Sequence, residues 1–485
     1  MRLPQRFRVG SRHPVFLVQQ TRMLERYASS QFPPNSLMER AGHSVGQLAL
    51  ALRPHATSIW VACGAGNNGG DGLWAAAWLR RTGKAATATW LGQPDQCGTD
   101  VRQALAEAVD AGVPIQPTPP PQFDVCIDAL LGIGGRPSIM SGPLARCISI
   151  INASGATVVS IDLPSGLSAD TGQSAPVAVR ADHTISMLTL KPGYFMGSGR
   201  DLTGTLWFDP LGCESILSSE KPKAWMSESP PVRERRHASH KGQFGNVAIV
   251  GGSTGMQGAA LLAGTAALYA GTGRVFIGLL GHESPAAFQG VDSAIMIRQP
   301  DQIALENAVV VCGCGGGSEI ARHLPRFLKN SSPVVIDADG LNAIASDSVL
   351  GQMVQRRGTL GQETIMTPHP LEAARLLKRS VAEIQADRLT AATTLSQRFD
   401  CVVVLKGSGS VIASPDHPIR INPTGNGRLA TAGSGDVLAG LIGAELAKGT
   451  PAFDAACHAC FRHGATADSW DGNRPLTADL LSRAN

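Results

Sequence analysis

The chain has 485 residues, of which 43% are hydrophobic and 16% charged; that composition supports more than one buried core and excludes a disordered chain. Its 42 Lys and Arg against 38 Asp and Glu leave a formal charge of +4. Over this length that gives little drive toward nucleic acid or membranes, so small-molecule partners are expected. The 10 Cys are irregularly spaced and make no disulfide framework in a chain this long. No apolar run reaches the roughly 18 residues of a membrane span. The arginines at positions 2, 6, 8 and 12 precede no apolar signal core, and a reduced, cytoplasmic setting is expected. Glycine is the skewed residue, 55 in number and without a Gly-X-Y period, so it must serve tight turns and close backbone approaches.

In chain order, short β-branched runs alternate with Ala- and Leu-rich helical stretches, the pattern of parallel α/β sheets. Strands are predicted at residues 58–62, 86–91, 124–128, 157–162 and 184–188, with a proline-rich internal loop at 114–122. A polar, aperiodic segment at 218–240 reads as a linker between domains at 1–217 and 241–485. Strands follow at 246–250, 275–279, 308–312, 334–337, 364–366 and 401–405. The expected fold class is α/β with two doubly wound domains. Glycine clusters fall at the carboxyl ends of these strands, where open α/β sheets bind ligands.

The first cluster is CGAGNNGGDG, in which Gly64, Gly66 and Gly69 meet the G-x-G-x-x-G spacing. The next strand lacks the terminal acid, about 20 residues on, with which dehydrogenases hold a ribose. Asn67, Asn68 and Asp71 also crowd the turn. Two further strand ends carry Asp128, and Asp162 with Ser165. If these strands are neighbours, Asn68, Asp128 and Ser165 offer amide, carboxylate and hydroxyl oxygens to one hard cation.

The stretches LMERAG (37–42), GNNGGDG (66–72), DALLGIG (128–134), DLPSG (162–166) and LKPG (190–193) resemble the N-terminal domain of the bifunctional NAD(P)H-hydrate repair enzymes over residues 18–213. The resemblance implies a Rossmann-like epimerase domain for hydrated nicotinamide cofactors, with K+ on Asn68, Asp128 and Ser165. It also implies that the hydrate touches Asn67, Asn68, Gly69, Gly70 and Asp71, then Gly132, Ile133, Gly134, Gly135, Arg136, Pro137 and Ser138, and finally Asp162. Ile133 stands where the family usually has Thr, which puts a hydroxyl contact in doubt but not the backbone cradle. Exchange of a C6 hydroxyl requires proton transfer to and from that oxygen, and Asp162 is the expected acid/base. Lys191 is either an electrostatic helper or a solvated loop lysine.

In the second half, the small, flexible residues 432–436 lead into a predicted amphipathic helix with Val437, Leu438, Leu441 and Ile442. Free amides at a helix N-terminus hold phosphate oxygens, and Asp436 is placed to take a proton from an attacking hydroxyl; the alternative is a helix cap. The stretch resembles the GxGD anion hole of ribokinase-like enzymes. Lys406 opens a glycine turn in a predicted hairpin, His369 lies between two prolines with Glu372 opening a helix, and Asp337, Asp339 and Asn342 mark another strand end. Cys312 and Cys314 form a C-x-C without evident partner ligands. Cys457, His458, Cys460 and His463 read as helix packing rather than a zinc site.

These motifs occur, in order, in the C-terminal dehydratase domain of the same family, which is similar to ribokinase-like kinases, over residues 225–485. The resemblance puts the hydrate near Ala259, Gly315, His369 and Asp436, and the nucleotide on Lys406, Gly407, Ser408, Gly409, Ser410 and Gly435, with Mg2+ accompanying ADP. Leu371 replaces the Gly of the usual TPHPGE, and the usual GPGLG reads GCGGG at 313–317. The implied substrates are NADHX, NADPHX and ADP. The first half would interconvert R and S hydrates, and the second would dehydrate the S form, giving AMP and phosphate. A homo-oligomer is expected. The competing reading is a ribokinase-like small-molecule kinase fused to a nucleotide-binding domain.

Overall fold

A computed structural model of the chain describes residues 3–135, 141–232, 234–281 and 292–484. It divides into two compact units, Met1–Arg8 with His13–Ala224 and Val9–Arg12 with Trp225–Asn485. The division falls inside the segment 218–240, where Ala224–Met226 forms a short strand that the surrounding polar residues concealed.

The first unit is built on β1 (Gln5–Arg6), β2 (Ile59–Cys63), β3 (Ala86–Trp90), β4 (Ile115–Gln116), β5 (Val125–Ala129), β6 (Thr157–Ile161), β7 (His183–Met187) and β8 (Thr205–Asp209). Its 8-stranded sheet runs β1-β8-β7-β6-β5-β2-β3-β4. Every pairing is parallel except β1 with β8. The five predicted strands are present within a residue at either end. β4 lies within the expected proline-rich loop. The order reverses between β2 and β5, so the loops leaving their carboxyl ends diverge and open a crevice. β2 and β5 are fully buried Val-, Ile- and Ala-bearing runs, as a parallel strand covered on both faces requires. α1 (Val18–Gln31), α2 (Ser36–Leu52) and α3 (Asn67–Arg81) follow the same logic. α2 and α3 approach so closely that a Cβ on Gly42 would lie 2.4 Å from the Trp74 Cβ.

The second unit contains β9 (Asn246–Gly251), β10 (Arg274–Leu279), β11 (Ile295–Arg298), β12 (Val309–Cys312), β13 (Val334–Ile336), β14 (Thr364–Met366), β15 (Val402–Leu405), β16 (Val411–Ser414) and β17 (His417–Ile421). They lie in the order β11-β10-β9-β12-β13-β14-β15-β16-β17, with Ala224–Met226 beyond β17. The pairings are parallel as far as β15, and the expected hairpin of β15 and β16 is antiparallel. Here the reversal lies between β9 and β12. α4 (Gln257–Tyr269), α5 (Pro370–Leu377), α6 (Arg388–Phe399), α7 (Ser434–Ala447) and α8 (Ala452–Asp468) flank the sheet. α7 departs from the amphipathic expectation: residues 437–446 are all buried, because the helix is covered by α4 and α8 as well as by the sheet.

Candidate active sites

In the first unit the crevice between β2 and β5 collects the residues singled out in the sequence. Asn67, Asn68, Gly69, Gly70 and Asp71 form the first turn of α3, whose N-cap Gly66 has no side chain to cap the free amides. A Cβ on Gly69 would lie 1.9 Å from the Gly64 carbonyl oxygen, and one on Gly64 would lie 1.9 Å from that of Leu130. The glycines therefore permit strand, turn and helix to touch. Gly132, Ile133 and Gly135 line a cavity of about 220 Å3 with Val18, Leu163, Leu167, Ser168, Ala169 and Asp170, while Gly134 faces the guanidinium of Arg22. Arg136, Pro137 and Ser138 lie outside the described residues.

Asp128 is completely buried. Its carboxylate accepts the Ser165 hydroxyl at 2.6 Å, the Ser165 amide at 2.9 Å and the Ser160 hydroxyl at 2.8 Å. Burial raises its pKa against these bonds, and among the described residues no cationic side chain pairs with it. Asn68 lies against the loop that follows Asp128: a Cβ on Gly132 would lie 3.0 Å from its Oδ1, and its Nδ2 is buried without a partner among the described residues. A buried carboxylate short of positive charge, beside amide and hydroxyl oxygens, is a donor set that suits a hard monovalent or divalent cation.

Asp162 ends β6 in the left-handed region, φ +59°, a strained conformation that Asp tolerates and that concentrates at functional sites. Tyr194 fixes it by donating its hydroxyl to the Asp162 carbonyl at 2.5 Å. Lys191 is fully buried, which rules out the solvated-loop alternative; its Nζ donates to Asp162 Oδ1 at 2.5 Å and to the Met187 carbonyl at 2.8 Å. Two further carboxyls face this pair. Burial and the Asp162 charge push Glu25 of α1 up to about 6, and burial, Asp162 and Glu25 together raise Asp71 well above the usual range. The crevice therefore gathers two carboxyls raised above the usual range beside the Lys191-held Asp162, an arrangement suited to paired acid and base roles. Tyr194 and Glu25 were missed in the sequence. Tyr194 follows LKPG directly, whereas nothing local marks Glu25.

In the second unit Asp436 sits in the first turn of α7, behind the N-cap Gly433 at φ +90°. No side chain caps this helix, so the cap alternative fails for Asp436. Its carboxyl instead accepts the Cys314 thiol, and burial with the nearby Asp337 charge raises it to about 6. Of the C-x-C pair only Cys314 joins a cluster: donor atoms of Cys314, Asp337 and Asp436 lie within 4.8 Å of one another, while the Cys312 thiol bonds the Val335 carbonyl at 3.5 Å. Asp337 is already held by Lys406 at 2.5 Å and by Thr367 at 2.7 Å. Burial opposes the Lys406 charge, but Asp337 and Glu372 outweigh it and raise its pKa, so it remains a cation. Gly435 is beside them, its would-be Cβ 3.4 Å from Lys406 Nζ. Gly315, at φ +56°, packs on Ala259 so closely that a Cβ on the glycine would lie 2.9 Å from the Ala259 Cβ.

His369 has a second duty. As the N-cap of α5 its Nδ1 accepts the amides of Leu371 at 3.0 Å and Glu372 at 3.4 Å, while the His369 amide donates to the Glu372 carboxylate at 2.7 Å. The proton then lies on Nε2, 3.3 Å from Glu372. Burial and Lys406 lower the pKa of this ring, and its side chain remains 46% exposed for a ligand. Cys457 and Cys460 are buried packing residues, as expected. His463, lowered by burial to about 4, bonds the Ser434 carbonyl at 2.9 Å and so anchors the start of α7.

Comparison with known proteins adds the lineage. A family described as NAD(P)H-hydrate dehydratase matches residues 247–484, and one described as YjeF-related protein N-terminus matches residues 34–193. The bifunctional NAD(P)H-hydrate repair enzyme Nnr of Escherichia coli (strain K12) is 38% identical over 448 residues, covering 89% of this chain and 84% of that protein. The ADP-dependent (S)-NAD(P)H-hydrate dehydratase of Neisseria meningitidis serogroup B is 44% identical over 256 residues, covering 52% of this chain and 85% of that protein. A solved ADP/ATP-dependent NAD(P)H-hydrate dehydratase from Bacillus subtilis, co-crystallised with ATP and Mg2+, is 31% identical with a TM-score of 0.45, covering 52% of this chain and 91% of that one. With relatives of this similarity across both halves, the chain belongs to the bifunctional NAD(P)H-hydrate repair enzyme family.

Proposed function

We propose that the chain repairs hydrated nicotinamide cofactors: its first unit interconverts the R and S forms of NADHX and NADPHX, and its second returns the S form to NADH or NADPH at the expense of ADP. The observation that carries the reading is Asp436, a carboxyl near pKa 6 at the amide-rich start of α7, beside the Lys406–Asp337 pair. A base with that pKa is mostly ionised at neutral pH, ready to take a proton, yet basic enough to hold one better than an ordinary carboxylate. Asp436 takes the proton of the C6 hydroxyl as its oxygen attacks the terminal phosphorus of ADP, and AMP leaves. Lys406 and the amides at the start of α7 hold the charge on the transferring oxygens. The ring nitrogen then expels phosphate from C6 and a proton leaves C5, restoring the double bond. Phosphate departs far more readily than hydroxide, so the nucleotide supplies the driving force. Mg2+ would enter with the nucleotide, on its phosphate oxygens.

In the first unit the same ring nitrogen expels the C6 hydroxyl once an acid protonates it, and water returns to either face as a base accepts its proton. Asp162 is our acid/base, Lys191 holds it in place, and Asp71, raised by burial and its carboxylate neighbours, is the nearby proton source. The buried Asp128 with Asn68 and Ser165 suits K+, which would neutralise Asp128 and fix the loop at residues 130–135. Turnover of the S hydrate should require ADP and release AMP and phosphate with recovery of the reduced-ring absorbance. Asp436→Asn should abolish this while sparing epimerisation, and Asp162→Asn should do the reverse. Dehydration by Asp436→Asn at the wild-type rate would refute the assignment.

A further inference from the structure

Two arginines of the second unit are buried without a carboxylate partner among the described residues, and they lie at opposite ends of the sheet. Arg357 is 1% exposed and donates to Thr364 and to the Ser332 and Glu363 carbonyls, at the amino ends of β13 and β14. Parallel sheets bind nothing there, and its role is structural. Arg388 is 3% exposed and lies beneath the carboxyl end of β15, on the ligand side. Its Nη2 reaches the carbonyls of Leu405 at 3.1 Å, Lys406 at 3.2 Å and Gly409 at 3.5 Å; Nη1 donates to Gln385 at 2.8 Å, and Nε is buried without a partner among the described residues. Gly407, at φ +141°, presses on the guanidinium so closely that a Cβ there would lie 2.9 Å from Nη1.

In a trans peptide the carbonyl of one residue and the amide of the next point in opposite directions, and the chain contains no cis peptide among the described residues. Carbonyls drawn toward Arg388 therefore turn the following amides away from it. The first case verifies the rule: the Leu405 carbonyl faces Arg388, and the Lys406 amide faces the other way, to the Pro368 carbonyl at 2.9 Å. By the same geometry the amides of Gly407 and Ser410 are turned outward.

We infer that Arg388 is a positioning residue for the nucleotide: from beneath the loop at residues 406–410 it fixes the carbonyls inward, and so presents the Gly407 and Ser410 amides to the diphosphate of the nucleotide. The inference rests on the reading of that loop as the nucleotide site. An uncompensated guanidinium under the loop also favours a polyanion above it, since burial without an acid makes the cation costly and lowers its pKa to about 10.

The test uses the full chain with ADP as the probe. In the wild type, hydrogen exchange of the backbone over residues 406–411 should slow on ADP binding; this readout needs no variant to fold. By titration calorimetry, Arg388→Met should weaken ADP at least about tenfold and leave the affinity for the hydrate within about twofold, and Arg388→Lys should recover part of the loss. Arg357→Lys is the structural control, lowering the melting temperature with ADP affinity unchanged. Lys406→Met separates the two levels of the argument. If Lys406→Met loses ADP while Arg388→Met, folded, binds it normally and the exchange is unchanged, the role of Arg388 is overturned and the loop reading stands. If neither variant loses ADP, the loop reading falls and the proposal falls with it.

Discussion

Cys314 occupies a position where the family usually has Pro, and its thiol bonds the carboxyl assigned as the base of the second unit. The bond favours the ionised form of Asp436, opposing burial and the Asp337 charge. Replacing Cys314 by Ala removes the donor and must raise the Asp436 pKa from its value of about 6. A weak thiol donor is worth about 0.5–1.5 kcal/mol, and a pKa unit is about 1.4 kcal/mol, so the rise should be roughly 0.4–1 unit. At pH 6 the ionised fraction then falls from about one half to between about 0.3 and 0.1, a two- to fivefold loss of rate, while at pH 8 the two proteins should nearly coincide. The assay is kcat/KM for ADP-dependent dehydration of the S hydrate from pH 5 to 8.5, followed by the reduced-ring absorbance. Cys314→Ser, which keeps a hydroxyl donor, should hold the acid limb near the wild-type position. An acid limb that does not move in Cys314→Ala, or that moves to lower pH, would refute the reasoning.

Further outcomes follow from the same structure. Lys191→Met leaves Asp162 buried without its cation and should lower the stability of the first unit by about 3–5 kcal/mol in denaturant titration, with partial recovery in the Asp162→Asn, Lys191→Met double variant; additive losses would show that the pair is not coupled. Gly69→Ala meets the Gly64 carbonyl at 1.9 Å and should cost about 3 kcal/mol or more. Gly66→Ala points into open space and should cost about 1 kcal/mol or less; equal losses would contradict the close turn. His463 is lowered to about 4 in the fold against 6.5 when unfolded. The unfolded chain therefore binds the extra proton first, and stability should fall by up to about 3 kcal/mol as pH drops from above 6.5 to 4. His463→Gln keeps a donor for Ser434 and should flatten that part of the pH–stability curve. Replacing K+ by a bulky organic cation should slow epimerisation and leave dehydration unaffected, and an unchanged epimerisation rate would remove K+ from Asp128.

The strands were legible because most are short runs rich in Val, Ile, Ala or Thr set between helical stretches, and the glycine-rich ends of several carried the site motifs in sequence order. β1 and β4, each of two residues, and Ala224–Met226 are too short to show a period. β8 was missed because four of its five residues are only partly buried, so it lacks the apolar run of its neighbours. At the sites, residues belonging to local motifs were found, and residues delivered by the fold from elsewhere were not. Glu25 comes from α1 and Arg388 from α6, neither beside a glycine turn. Cys314 gains its partners Asp337 and Asp436 only when β12, β13 and α7 converge. The capping duty of His369 was legible in principle, since a helix-opening residue followed three positions later by Glu372 is a capping-box pattern; a histidine in the cap position disguised it.

The most direct test is to supply the intact chain with purified S hydrate and ADP and to follow both the reduced-ring absorbance and the phosphorus products. The account predicts recovery of the dihydronicotinamide together with equal amounts of AMP and phosphate, and recovery from the R hydrate only while the first unit is active. Accumulation of a stable phosphorylated hydrate with no return of absorbance would contradict it and identify the second unit as a kinase.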